Sequence, residues 1–188
     1  MTKCIASCIV VLVIMGALGW AYAWSGFYNA GADVPHWPLT YRFLDMARSR
    51  SIQHHAQSIR APNLDDPSLI LKGAGQYAAM CTGCHLAPGM QHSELRAGLY
   101  PQPPVLAENP IDPNEAFWII KHGIKMTGMP AWGATHDDDT IWSIVAFVRK
   151  LPGMTPAQYK DIVAKAPPDE DMDMDHDKGD MHEDMKSH

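Results

Sequence analysis

Cysteine is scarce in this chain, four in 188 residues, and two of the four fall within the first eight positions. That excludes a disulfide scaffold, which needs a dense and evenly spread set of cysteines. A single C-x-x-C pair occurs with no second to match it, so a four-cysteine zinc site cannot be completed. Positive charge is not in excess either: 15 Lys and Arg face 21 Asp and Glu, for a formal net charge of −6. A basic surface for nucleic acid is therefore not expected. Repeats are lacking, and between positions 3 and 33 there is no charged residue at all. This last absence is the first positive signal.

Residues 5–24 are almost wholly apolar. About twenty residues at about 1.5 Å each span about 30 Å, the thickness of the hydrocarbon core of a bilayer. Two readings stand. Ala21-Tyr22-Ala23 has the A-x-A form of a signal-peptidase site. Against cleavage, the run is longer than a usual signal core, and Trp20, Tyr22 and Trp24 cluster as an interfacial belt would. The expectation is a retained anchor over 1–24, with lipid as its partner. Cys4 and Cys8 precede most of the apolar run instead of ending it, so they are plain apolar positions and not an acylation site.

The chemistry concentrates at Cys81-Thr82-Gly83-Cys84-His85. Two thiols three apart, followed at once by histidine, form the attachment signature of a c-type haem. The thiols add across the two vinyl groups of the porphyrin and the adjacent imidazole is held under the iron. A thioredoxin-like redox pair would use the same C-x-x-C without needing the histidine. A soft ligand farther along favours haem: the run Thr127-Gly128-Met129-Pro130-Ala131-Trp132.

Taken together, CTGCH and TGMPAW resemble the class I c-type cytochromes, over residues 66–151. The resemblance implies an all-α domain in which about four short helices wrap one covalent haem c. It implies Cys81 and Cys84 as thioether attachments, with His85 and Met129 as axial iron ligands. A thioether paired with imidazole favours ferrous iron and raises the potential, as an electron carrier needs. Met126 is the rival ligand, three residues before Met129. The loop Leu99-Tyr100-Pro101-Gln102-Pro103-Pro104-Val105-Leu106 resembles the proline-x-leucine loop of the family. By that match the Pro104 carbonyl accepts from His85 Nδ1, with Pro88 as the alternative acceptor, and Trp132 lies near the haem propionates unless it is simply core. Gly73 and Tyr77 match the positions where the first helix of the family crosses the last.

The helix grammar can be read independently. Asp66-Pro67, Asp112-Pro113 and Thr155-Pro156 each place a capping oxygen before a proline preset for the first turn, with Glu115 and Gln158 as capping-box partners. A further helix starts near Asp137-Asp138-Asp139 and ends near Arg149-Lys150, with Ile141, Trp142, Val145, Ala146 and Val148 as its buried stripe. Residues 25–62 read as a connecting segment in which Leu39, Phe43, Ala47, Ile52, Ala56 and Ile59 recur at helical spacing, against the membrane or the haem domain. His54 and His55 point to different faces of such a helix and read as surface histidines. Four arginines there, Arg42, Arg48, Arg50 and Arg60, would favour the cytoplasmic side by charge alone. The resemblance implies the opposite, since haem attachment in the family takes place on the outer face.

The haem domain is expected over 63–166 and an acidic tail over 167–188. Residues 169–188 hold nine acids and two lysines, and they include Met172, Met174, His176, Met181, His182, Met185 and His188. The composition predicts no fold of its own, and thioethers with imidazoles suit copper. The expected function is a single-haem, membrane-tethered carrier in a bacterial inner membrane, haem domain on the periplasmic side. Its redox partners would be a dehydrogenase or quinol-oxidising complex and a terminal oxidase or reductase; copper handling by the tail is the alternative. An enzyme such as a peroxidase would need an open iron position, which a methionine ligand blocks.

Overall fold

The computed structural model describes residues 2–167. The candidate copper ligands Met172, Met174, His176, Met181, His182, Met185 and His188 lie outside the described residues. Two compact units divide the chain, one ending at His36 and the other beginning at Trp37. No strand occurs among the described residues.

The first unit is dominated by α1 (Thr2–Trp24), whose 23 residues include none that is buried in protein. It is long and apolar enough to cross a membrane. Trp20 and Trp24, one turn apart, stack at 6.4 Å near its end. The helix stops where Ser25 Oγ donates to the Tyr22 carbonyl at 2.6 Å, followed by Gly26 in the left-handed region at φ 72°.

The second unit contains α2 (Pro38–Ala56), α3 (Pro67–Met80), α4 (Thr82–His85), α5 (Glu94–Ala97), α6 (Pro113–His122), a 3₁₀ turn (Trp132–Ala134), α7 (Asp138–Val148) and α8 (Pro156–Val163). Their starts follow the sequence grammar, with one difference. The Asp66 carboxylate accepts from Ser68 N at 2.9 Å, and Thr155 and Gln158 form the reciprocal capping box. At Asp112 the carboxylate instead takes the N–H groups of both Asn114 and Glu115. One short acid thus serves two of the N–H groups left free at the start of the helix, and the reciprocal bond expected from Glu115 is not part of this cap.

The core forms where α3 crosses α7. A methyl group on Gly73 would come within 1.9 Å of the Ser143 carbonyl oxygen, so only glycine lets the two backbones meet there. Around the crossing, Tyr77 packs on Phe147 at 5.5 Å and on Tyr159 of α8 at 6.4 Å. On the other side of α7, Phe117 of α6 stacks on Trp142 at 4.1 Å. Covered by α3 and α6, α7 buries every residue over 140–148, and not only the five of its expected stripe. Its buried hydroxyls are satisfied: Ser143 Oγ donates to the Thr140 carbonyl at 2.7 Å, and Thr140 Oγ1 accepts from Lys72 Nζ at 2.8 Å. Such pairing removes the penalty of burying a polar group.

α2 belongs to this second unit. It buries Ile52 and Ala56. His55 remains exposed at its edge but stacks flat on Trp118 of α6, 5.5 Å away and 6° from parallel.

Candidate haem site

The C-x-x-C-H stretch is a single helical turn placed by the end of α3. Cys81 caps α3, its N–H bonded to the Tyr77 carbonyl at 3.0 Å, and its own carbonyl accepts from Cys84 N at 3.1 Å and His85 N at 2.8 Å. Residues three and four apart on a helix share a face. Cys81, Cys84 and His85 accordingly line one cavity of about 390 Å³, together with Met129 and Trp132. Neither cysteine is in a disulfide. Burial, and then the neighbouring Cys84, pushes the Cys81 thiol up to about 12, so it stays protonated at neutral pH.

Directly after His85 the backbone takes a conformation that no sequence signal marks. Leu86 is buried and lies in the left-handed region at φ 61°, costly for a residue with a branched side chain. The buried Tyr77 hydroxyl donates to the Leu86 carbonyl at 2.7 Å, which pins this turn and with it the direction of the preceding imidazole. Burial in turn pushes the Tyr77 hydroxyl well above the ordinary tyrosine range, so it remains a donor at neutral pH.

His85 Nδ1 lies 2.9 Å from the Pro104 carbonyl oxygen. A peptide carbonyl only accepts, so Nδ1 carries the proton and Nε2 keeps the lone pair for a ligand. Burial holds His85 below the ordinary histidine value, the charge on Arg96 adds to this, and the Pro104 carbonyl opposes it. The loop that offers the carbonyl is itself tied down. Arg96 Nη2 donates to Pro103 O at 3.1 Å, Ser93 Oγ accepts from Arg96 N at 3.1 Å, and the Ser93 hydroxyl donates to the Gly83 carbonyl inside the C-x-x-C turn. Pro88 is buried in the turn after the motif.

Met129 stands in a loop that folds back on the end of α6. Ile124 N bonds the Met129 carbonyl at 3.2 Å, and Met129 N donates to Thr127 Oγ1 at 3.1 Å. Gly123, at φ 63°, makes the approach: a methyl there would stand 2.7 Å from the Pro130 carbonyl carbon. Met129 packs against the core, whereas Met126 is 97% exposed. Trp132 lines the cavity and opens the 3₁₀ turn, its ring edge-on to His136 at 5.5 Å.

The residues present fit a haem. Two thiols on one turn face a cavity whose walls are largely aliphatic, among them Leu106, Ile120 and Val148. A neutral imidazole and a thioether, both ligands suited to haem iron, line the same space. Among the described residues no group of three or more His, Cys, Asp or Glu is arranged to hold a metal ion.

Residues 68–148 match the family model described as cytochrome c oxidase, cbb3-type, subunit III. No curated protein matches the chain significantly. The segment that matches contains all of α3 but its first residue, the C-x-x-C-H turn, the proline loop, α6, the Met129 loop and α7, so apart from α2 every residue that lines the cavity falls inside it. Residues 68–148 form a c-type cytochrome domain, a kind whose covalently bound haem serves electron transfer.

Proposed function

We infer that the protein is a single-haem electron carrier held at a bacterial inner membrane by α1, with its haem domain on the periplasmic side. It passes one electron between a dehydrogenase or quinol-oxidising complex and a terminal oxidase or reductase. The observation that carries this reading is the convergence of Cys81, Cys84, His85 and Met129 on one largely apolar cavity. When bound, the haem supplies a one-electron couple at its iron. The chain's own residues do the rest. Cys81 and Cys84 would hold the haem through two thioethers, each thiol's sulfur and hydrogen adding across one vinyl group. His85 presents Nε2 as a ligand because Pro104 holds the proton on Nδ1. Met129 would offer its soft thioether to the iron and so close it to small molecules, and Trp132 would contribute to the wall around the haem.

The ligand assignment is tested by substitution. Met129→Ala should abolish the weak near-infrared charge-transfer band of sulfur-bound ferric haem and admit carbon monoxide to the ferrous form, while Met126→Ala leaves both unchanged. A band kept in the first variant and lost in the second moves the ligand to Met126. Cys81→Ala and Cys84→Ala should each leave at most one thioether, measured by the haem absorption in alkaline pyridine.

A further inference from the structure

The family match begins at residue 68, and α2 lies wholly before it. Nevertheless Tyr41, Arg48 and Ile52 of α2 line the haem cavity. These three, with Asp45, fall at intervals of four, three and four residues, one face of a helix. That face is anchored near both ends. Tyr41 packs on Tyr100 of the proline loop at 6.3 Å, and His55 stacks on Trp118 of α6 at 5.5 Å. α2 therefore straps across the cavity wall from the proline loop to α6, with Arg48 between the two anchors.

Among the described residues, Arg48 is the only Lys, Arg, Asp or Glu that lines this cavity. A haem brings two carboxylates into a space otherwise walled mainly by aliphatic, proline and sulfur-bearing side chains, and a buried charge is costly unless paired. A guanidinium can fork onto a carboxylate with two parallel N–H donors. Asp45, one turn earlier on the helix, already accepts from Arg48 Nη2 and holds the side chain in place. Five donors leave enough for a second carboxylate. The Arg48 side chain is 31% exposed, so most of it is withdrawn from water that would screen its charge.

We propose that α2 is a haem-covering strap lying outside the segment that the family model matches, and that Arg48 pairs with a haem propionate, with Asp45 sharing the guanidinium. This rests on the haem occupying the cavity lined by Cys81, Cys84, His85 and Met129. A positive charge paired there favours ferrous over ferric iron, so Arg48 raises the potential and Asp45 moderates it.

The test uses the full-length holoprotein and four variants: Arg48→Met, Arg48→Lys, Asp45→Asn and Arg50→Met. Arg50 lies on the same helix but is exposed and does not line the cavity, so it controls for loss of a distant charge. Arg48→Met should shift the ferric/ferrous equilibrium toward ferric about tenfold, which for a one-electron couple is about 59 mV. It should also shift the propionate bending band in the resonance Raman spectrum. Arg50→Met should move the equilibrium less than about twofold and leave the band alone, the size expected of a screened surface charge. Asp45→Asn should shift the equilibrium the other way, by less than Arg48→Met does. Where Arg48→Met yields no holoprotein, Arg48→Lys decides: it keeps the charge without the fork, so the band should move while the potential changes little. Equal potentials and unmoved bands in Arg48→Met and Arg50→Met overturn the proposal, as does an unmoved band in Arg48→Lys. Covalent haem in the wild type, shown by haem staining after denaturing electrophoresis, separates that failure from failure of the haem reading itself, which would remove both.

Discussion

α1 and α7 are both built mainly of apolar residues, yet none of α1 is buried against protein and nine consecutive residues of α7 are. Length and flanks distinguish them. At about 1.5 Å per residue α1 reaches about 35 Å and α7 about 17 Å, and only the first can cross a hydrocarbon core of about 30 Å. α1 has no acidic residue in its first turn and no basic residue in its last. α7 opens on Asp138 and Asp139 and is followed by Arg149 and Lys150, which suit the helix dipole. Protein is the solvent of α7. Lipid is the solvent that α1 suits. Glycine shows the same contrast: a methyl on Gly16 or Gly19 meets nothing within 4 Å, whereas on Gly73 it would strike the backbone of α7.

The sharpest way to break the comparison is therefore to add carbon at glycine in each place. Gly73→Val should force α3 off α7, and the cost should exceed the usual range for overpacking of about 1–3 kcal/mol, because the obstacle is backbone that cannot change rotamer. Thermal unfolding followed by circular dichroism should show loss of the cooperative transition of the haem domain. Gly19→Val should leave that transition unchanged. Equal transitions in the two variants would mean that the crossing does not organise the domain.

Large-to-small changes test the same contrast from the opposite direction. Phe147 is fully buried between Tyr77 and Tyr159. Phe147→Ala should cost about 3–5 kcal/mol in urea unfolding of the haem domain. Leu12→Ala in α1 removes apolar surface that no protein atom covers, and should not move that midpoint. A charge in α1 gives the complementary result: Val13→Lys, at the middle of the apolar run, should cost about 2.5–3.5 kcal/mol of insertion on a biological scale. The fraction of protein recovered in membranes should fall while the haem-domain transition stays fixed.

Much of this architecture was legible in the sequence because it rests on short-range signals. The uncharged run marked the span of α1, and each acid-proline or threonine-proline pair marked a helix start that the chain adopts. What stayed hidden depends on contacts across long separations. Helical spacing at 39–59 implied a helix and counted its arginines, but could not say that Arg48, and not Arg42 or Arg50, lines the cavity. The left-handed Leu86 and its bond from Tyr77 carry no local mark, since leucine is not a residue that announces positive φ. The full burial of α7 exceeded the five-residue stripe because a stripe assumes one covered face, and here α3 and α6 each cover one.

The smallest effect probes how the polar end of α7 is held. Asp137 accepts from Thr140 N at 2.7 Å, and this bond is the largest cause holding its carboxyl below the ordinary carboxylate value, with Lys72 and His136 adding weaker attraction. A depressed pKa in the folded state means that the carboxylate stabilises the fold above its unfolded pKa, about 3.9, and that this contribution fades as pH falls through the folded value. Asp137→Ala should therefore cost about 1 kcal/mol at pH 7, the usual worth of a cap. In Asp137→Asn, which keeps an accepting oxygen but not the charge, the loss should be smaller at pH 7. Urea unfolding of the wild type and both variants at pH 7 and again at pH 3 checks the sign. The gap between wild type and Asp137→Asn should narrow at the lower pH, because the wild-type carboxylate is then giving up the charge that the amide never had. A gap that holds steady or widens on acidification would show that the cap acts through the shape of its hydrogen bond alone. The apolar body of α7 would then be secured by packing with no help from charge at its start.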